Sequence, residues 1–358
     1  MLSVLVTGAA GLIGGEVCAR LARRGHMVTA LVHRHPEVRG NDGAPVPGIA
    51  VRAGDVRAPL LGLDPAGVRF DLVIHCAAAL DFDAPDDVLR AVNVEGTANA
   101  LALARATGAA FLQVSTAYVC GLEEGPMAEA PVPAGRVFAN RYEASKAAAE
   151  ALVLESGLRF AIARPSIVLG DHASGAIRDF PSLTNVFRLM ARGLVSVFPA
   201  APGASLDLVP ICHVAGGIVA LAERMAAAQG GIYHLVADDP LPAAALAEGV
   251  ARVAHFPSPR IVAPEAYDLA ALPPAERRVA GRMLATFGGY FTRSPRFDDR
   301  AFRALTGLAP PRCDEAWLDR LIAYGIATGY LPAAPLSARP GIAAQAAGAI
   351  PAPTAARP

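Results

Sequence analysis

Lysine is all but missing from this sequence. Of the 32 basic side chains in 358 residues, Lys146 is the one lysine and the other 31 are arginine. Charge of either sign is scarce at 18% of residues, and it cancels, because 32 acidic groups balance the basic ones. A nucleic-acid partner is therefore not expected, since that function needs a basic face to displace phosphate counterions. The five cysteines (Cys18, Cys76, Cys120, Cys212, Cys313) are scattered, odd in number and without a Cys-x-x-Cys pair. That pattern fits buried thiols in a reducing compartment better than a disulfide framework or a zinc site. No metal is expected either, because His33 and His35 share a loop with no carboxylate beside them. A cysteine nucleophile is equally unsupported; Cys76 and Cys120 are expected to pack near the sheet edge. Long apolar runs are absent: residues 98–103 and 218–222 are cut short by Arg105 and Glu223, well below membrane-spanning length. Residues 1–7 have no charged leader region and run straight into a glycine loop, so the expectation is a cytoplasmic chain with no secretion signal.

What is present is a hydrophobic fraction of 53%, enough to build one large domain or two. Short strand-like runs at 2–6, 27–32, 49–53, 70–74, 111–114 and 160–163 alternate with helical patterns. The clearest helical patterns cover 87–106 and 142–155, and a further one ends at Arg24. Buried strands alternating with helices predict an α/β fold of the Rossmann type, a doubly wound parallel sheet with helices on both faces. Beyond Pro165 the alternation loosens. Helices are expected at 183–192, 213–228, 243–254, 275–285 and 314–325, with strands near 206–209 and 232–236. The expected division is a nucleotide-binding core at 1–170 and a smaller, mostly helical substrate-binding part at 171–330, free to return elements to the core. A Pro/Ala-rich tail at 331–358, expected to be flexible, would follow.

Three glycines follow the first strand in Thr7-Gly8-Ala9-Ala10-Gly11-Leu12-Ile13-Gly14. Gly8 permits a tight turn, Gly11 lets backbone approach a pyrophosphate, and Gly14 lets the helix pack close to the strand. The expected ligand is a dinucleotide. At the tip of the second strand an acidic residue would bind a ribose 2′-hydroxyl, whereas arginine accommodates a 2′-phosphate. The tip reads Leu31-Val32-His33-Arg34-His35, with no carboxylate, so NADPH is expected, with Arg34 forked onto the phosphate and His33 assisting. A solvated basic loop is the alternative. Asp55, after the third strand, is placed to accept from the adenine amino group.

Tyr142 and Lys146 stand four residues apart, on one face of a helix. With seven tyrosines in 358 residues, a lone lysine has one at that spacing in about 2% of cases. A phenol titrates near 10, and lowering it by ~3 pH units needs roughly 4 kcal/mol. One ammonium at about 4 Å supplies a contribution of that size. A compact ammonium can serve the phenol and a cofactor ribose together, which arginine's planar fork cannot. A hydroxyl at the carboxyl end of the strand in Val114-Ser115-Thr116-Ala117-Tyr118 can orient a substrate oxygen toward the tyrosine. Asn93, on the preceding long helix, is placed to hold a proton-relay water.

These motifs, with His75-Cys76-Ala77-Ala78 and Arg164-Pro165-Ser166-Ile167, occur in the order found in the extended short-chain dehydrogenase/reductases, which the chain resembles from Leu2 to Gly170 and more loosely to Tyr330. The loop departs from the common dehydrogenase spacing, being Gly-x-x-Gly-x-x-Gly. The resemblance implies a catalytic set of Thr116, Tyr142 and Lys146 supported by Asn93, with Ser115 as the fallback for Thr116. It implies cofactor contacts from Gly8, Gly11, Leu12, Ile13, Gly14, Asp55, Val56, Ala77, Ala78, Pro165 and Ile167, besides Tyr142 and Lys146. Within that superfamily the chain looks like the acyl-CoA and thioester reductases, also called male-sterility-like. The features that carry this are Asp81-Phe82 after the His-Cys-Ala-Ala run, the run Val-Ser-Thr-Ala-Tyr-Val-Cys-Gly at 114–121, residues 140–150, and 290–330 with its Pro295-Arg-Phe-Asp298 segment.

The implied activity is NADPH-dependent hydride delivery to a thioester or carbonyl carbon of a hydrophobic acyl-type substrate, free or carrier-bound, by a monomer or homodimer. Phe180, Phe187, Leu189, Met190, Leu194, Val197 and Phe198 offer an apolar lining for such a substrate, unless they are simply core. Competing readings are a dihydroflavonol- or hydroxysteroid-type ketone reductase, a sugar-nucleotide epimerase or dehydratase, and a catalytically silent NADP-binding regulator.

Overall fold

The computed structural model describes residues 1–80, 84–181 and 183–334. Seven strands form one parallel sheet: β1 (Ser3–Thr7), β2 (Met27–Val32), β3 (Ala50–Ala53), β4 (Leu72–His75), β5 (Ala110–Val114), β6 (Phe160–Pro165) and β7 (Gly231–Leu235). Their spatial order is β7-β6-β5-β4-β1-β2-β3. The chain order reverses on either side of β1, and such a switch point opens a crevice at the carboxyl ends of the strands.

The period-two alternation of β1 sends its residues to two different cores. Val4 and Val6 face α1 (Leu12–Arg23), where Val17 and Leu21 meet Val214 and Ile218 of the later helix Ile211–Glu223. Leu5, with Val73 and Phe111, faces α2 (Gly96–Thr107) and α3 (Arg141–Leu154) through Leu101, Ala104 and Val153. Helices thus cover both faces, as the alternation predicts. A third cluster, built around Trp317, Phe198, Phe291 and Met190, forms the core of the later half.

The later half returns to the sheet. The expected strand at 232–236 is β7, which pairs with β6 from Gly231↔Ala161 to Leu235↔Pro165. The single strand expected at 206–209 is divided at Asp207: Ser205–Leu206 pairs antiparallel with Leu241–Pro242, and Leu208–Pro210 pairs parallel with Ile167–Leu169. The single helix expected at 87–106 is interrupted by a π-helical turn, Arg90–Glu95, between Asp86–Leu89 and α2. Such turns insert one extra residue and re-aim side chains. Helix Arg300–Thr306 was not visible in the sequence pattern; it buries Phe302 against the α1 face. No helix among the described residues is long and apolar enough to cross a membrane. The expected tail lies, from residue 335 onward, outside the described residues, as do Asp81 and Phe82.

Candidate active site

A cleft of about 730 Å3 opens over the carboxyl ends of the strands, and both the glycine loop and the Tyr142/Lys146 helix line it. Gly8 has φ +64, and a Cβ there would stand 2.6 Å from the Ala77 nitrogen. A Cβ on Gly14 would collide with the Gly8 carbonyl. The loop is therefore a cradle that only glycine can form. Gly11 occupies the N-cap of α1, with no side-chain cap and no acidic residue in the first turn. The first-turn N–H groups, beside Leu12 and Ile13 on the cleft wall, suit a pyrophosphate. These residues fit a dinucleotide.

His33, Arg34, Asp55 and Val56 line the same cleft. Arg34 is half-buried, and among the described residues no carboxylate pairs with it. The sequence reading missed Arg57, two residues past Asp55 in the same turn. Arg57 donates to both oxygens of Asp55, with Nη2 2.8 Å from Oδ2, and His33 Nε2 lies 3.4 Å from Asp55 Oδ2. The Arg57 hydrogen bonds hold the Asp55 carboxyl below its usual range. Asp55, expected to accept from an adenine amino group, is paired with Arg57 and lies beside His33 near the tip of β2.

Thr116, Tyr142 and Lys146 come together on the cleft wall with Ala77, Ala78, Pro165 and Ile167. Thr116 lies two residues past the end of β5, and its Oγ1 accepts from the Tyr118 nitrogen at 3.2 Å, which leaves the hydroxyl proton to donate. The neighbouring Ser115 Oγ is buried in the same wall and finds no hydrogen-bond partner among the described residues. α3 begins at Asn140, whose Oδ1 accepts from the Glu143 nitrogen at 2.9 Å. Lys146, one turn on, is 2% exposed, and its Nζ donates to the Val114 carbonyl at 2.7 Å. Burial pushes that ammonium down to about 8, against the opposing pull of Glu150. Burial, with Glu143 adding to it, raises the Tyr142 phenol above its ordinary value. The phenol is therefore not lowered as the Tyr/Lys spacing suggests, because burial disfavours the phenolate and the neighbouring Glu143 carboxylate adds to it.

Asn93 lies in the π-helical turn behind the wall rather than on it. Its Oδ1 accepts from Ala79 N at 2.8 Å, and its Nδ2 donates to Ala79 O at 3.2 Å and Ser145 Oγ at 2.9 Å. That amide ties the loop carrying Ala77 and Ala78 to α3. The apolar stretch 180–200 does not line the cleft as a whole. Phe187 and Met190 are core, because helix Thr184–Ala191 turns its apolar face toward the Trp317 cluster, and Phe198, on the short strand Val197–Pro199, joins the same cluster. Phe180 stacks on Tyr330 with ring centres 3.8 Å apart. The cleft takes its apolar wall from Tyr118, Leu183, Phe287 and Tyr290 instead.

Below Ser166, Asp207 is buried and its Oδ1 accepts from Ser166 Oγ at 2.5 Å and Ala237 N at 2.8 Å. Burial lifts its carboxyl from 3.8 to about 7. Between these two values the unfolded chain has lost this proton and the native protein keeps it, so the contribution favours folding at low pH and is lost as pH rises to about 7. In Asp207→Asn, urea unfolding at pH 5, 6 and 7 should lose a downward slope of up to about 1.4 kcal/mol per pH unit. An unchanged slope would assign the proton elsewhere.

Residues 46–218 match the family described as Male sterility protein. The chain is 26% identical over 272 residues to glycine betaine reductase ATRR of Emericella nidulans, covering 67% of this chain but only 21% of that protein. It is 27% identical over 273 residues to the 3-diazoavenalumate denitrifying reductase of a Streptomyces species, covering 72% of this chain and 84% of that one. Among solved structures, the terminal R domain from the myxalamid PKS-NRPS biosynthetic pathway superposes with a TM-score of 0.79 at 26% identity, covering 93% of this chain and 92% of that one.

Proposed function

We propose that this chain, whose residues 46–218 match the family described as Male sterility protein, is an oxidoreductase of the short-chain dehydrogenase/reductase type and an NADPH-dependent reductase of thioester or carbonyl groups on hydrophobic acyl-type substrates. The observation that carries this reading is the meeting of Thr116, Tyr142 and Lys146 with the glycine cradle and an apolar wall in one cleft. NADPH, when bound, supplies the hydride, and its oxidised ring the positive charge that favours the phenolate. The glycine cradle and the first turn of α1 hold the pyrophosphate. Thr116 donates to the substrate oxygen and turns the carbonyl toward Tyr142. Tyr142 gives its proton to that oxygen as the carbon is reduced, and Lys146 holds the ribose and stabilises the phenolate left behind. With a thioester, loss of the thiol from the reduced carbon would give an aldehyde, which the same groups could serve in a second reduction by a second NADPH. Residues 1–170 act as the cofactor-binding core and 171–330 as the substrate part. The acyl group arrives free or on a carrier, the protein works as a monomer or homodimer, and the cytoplasm is the proposed setting.

NADPH rather than NADH is the proposed donor because His33, Arg34 and Arg57 surround the tip of β2 and Arg34 has no acidic partner there. Charge-assisted bonds are worth about 1.5–3 kcal/mol each. Arg34→Glu is thus expected to raise KM for NADPH by roughly 10- to 100-fold and leave KM for NADH within about twofold. Equal losses with both cofactors would rule out a 2′-phosphate contact.

A further inference from the structure

Glu143 stands beside Tyr142 in the first turn of α3 and is 0% exposed. Its Oε1 accepts from Arg293 Nη2 at 2.7 Å and from the Tyr290 hydroxyl at 3.0 Å, while Oε2 accepts from the Ala139 nitrogen at 3.0 Å. Arg293, 4% exposed, also donates to the Gly121 carbonyl. Its guanidinium lies 5.2 Å from the ring centre of Tyr118 and 4.8 Å from that of Tyr290. The two tyrosine rings meet edge to face, 4.9 Å between centres, and both line the cleft. Tyr118 follows Thr116 by two residues, and Tyr290 comes from the far end of the chain.

A buried ion pair is a poor way to gain stability, since desolvation consumes most of its attraction. What this pair does supply is geometry. One carboxylate next to the proton donor fixes a guanidinium, and the guanidinium fixes two rings by cation–π contact. We propose that Arg293 is a positioning residue that holds Tyr118 and Tyr290 as a rigid aromatic wall, registered through Glu143 to the helix turn carrying Tyr142, and that this wall selects substrates whose extended apolar chain continues directly from the reacting carbon. The proposal rests on the reductase reading and names the part of the substrate that reading leaves open.

The test measures steady-state reduction of acetaldehyde, hexanal and decanal with NADPH by the full chain, by Tyr290→Leu and by Arg293→Lys. Tyr290→Leu keeps the Glu143–Arg293 pair but removes the ring. It should raise KM for decanal about tenfold and change KM for acetaldehyde less than about twofold. The dissociation constant for NADPH, read by nucleotide fluorescence, should not move. Arg293→Lys keeps a charge for Glu143 but not the planar fork, and should lower kcat for decanal more than for acetaldehyde. A merely structural role would lower the melting temperature of both variants and leave the decanal-to-acetaldehyde ratios unchanged; that result overturns the proposal. Calorimetric binding of decanol to the NADP+-loaded protein separates the two claims. Tyr290-dependent decanol binding without aldehyde reduction sinks the reductase reading and keeps the wall. Aldehyde reduction with a Tyr290-independent KM does the reverse.

Discussion

Tyr142→Phe is expected to lower kcat by about 10²- to 10⁴-fold, the range a positioned general acid contributes, with NADPH affinity within about twofold of wild type. The change removes one oxygen and keeps the ring, so the packing of α3 beside the cleft is preserved. It removes the one phenol of α3, which lines the cleft one turn before Lys146. On the proposed mechanism Thr116 still orients the substrate oxygen and is expected to account for the residual rate. Paired measurements of kcat and of NADPH binding by fluorescence check the expectation. A variant that keeps more than about a tenth of the wild-type kcat would show that another group delivers the proton.

Lys146→Arg, conservative on paper, is expected to cost about 10²-fold in kcat, the penalty of a reacting group displaced by about 1 Å. Lys146 is 2% exposed and its ammonium is seated on the Val114 carbonyl at 2.7 Å. A guanidinium is longer and planar, and it cannot sit on that carbonyl while reaching both the phenol and a ribose. The sequence points the same way: positive charge is supplied by arginine at 31 positions and by lysine only here. Arg23→Lys, at an exposed position on α1, is the control and should change kcat less than about twofold. Melting temperatures separate a misplaced charge from a failed fold. Near-normal kcat in Lys146→Arg would mean that charge alone suffices at this position, and the role assigned to a compact ammonium would be wrong.

The parts of this architecture that repeat locally were legible in the sequence. Strand and helix periodicities placed the sheet, with most boundaries shifted by a residue or two, as at β1 and β4. The glycine loop was legible because its demand on the backbone is local. The Tyr142–Lys146 pair was legible because its spacing is a helix turn. What escaped was set by contacts distant in sequence. Tyr290, which lines the cleft, and Arg293, which lies behind it, come from 147 and 150 residues beyond Glu143, and no local pattern announces them. The apolar face of Thr184–Ala191 shows that it must be buried, but not whether its neighbour is Trp317 or a substrate. Arg57 was overlooked for the opposite reason: it sits two residues from Asp55, where a surface ion pair is the ordinary reading. Asn93 was found by motif, but its side-chain partners Ala79 and Ser145 follow from a π-helical turn that the helical period hides.

The central claim is hydride transfer from NADPH to a thioester or carbonyl carbon on this cleft. The most direct measurement incubates the protein with NADPH deuterated at its transferable position and, in parallel, an acyl thioester, an aldehyde and a ketone, followed by mass analysis of the products. The account predicts NADPH consumption matched by an aldehyde or alcohol bearing deuterium on the former carbonyl carbon. NADPH left unconsumed with all three substrate classes, or a reduced product without deuterium at that carbon, would contradict it.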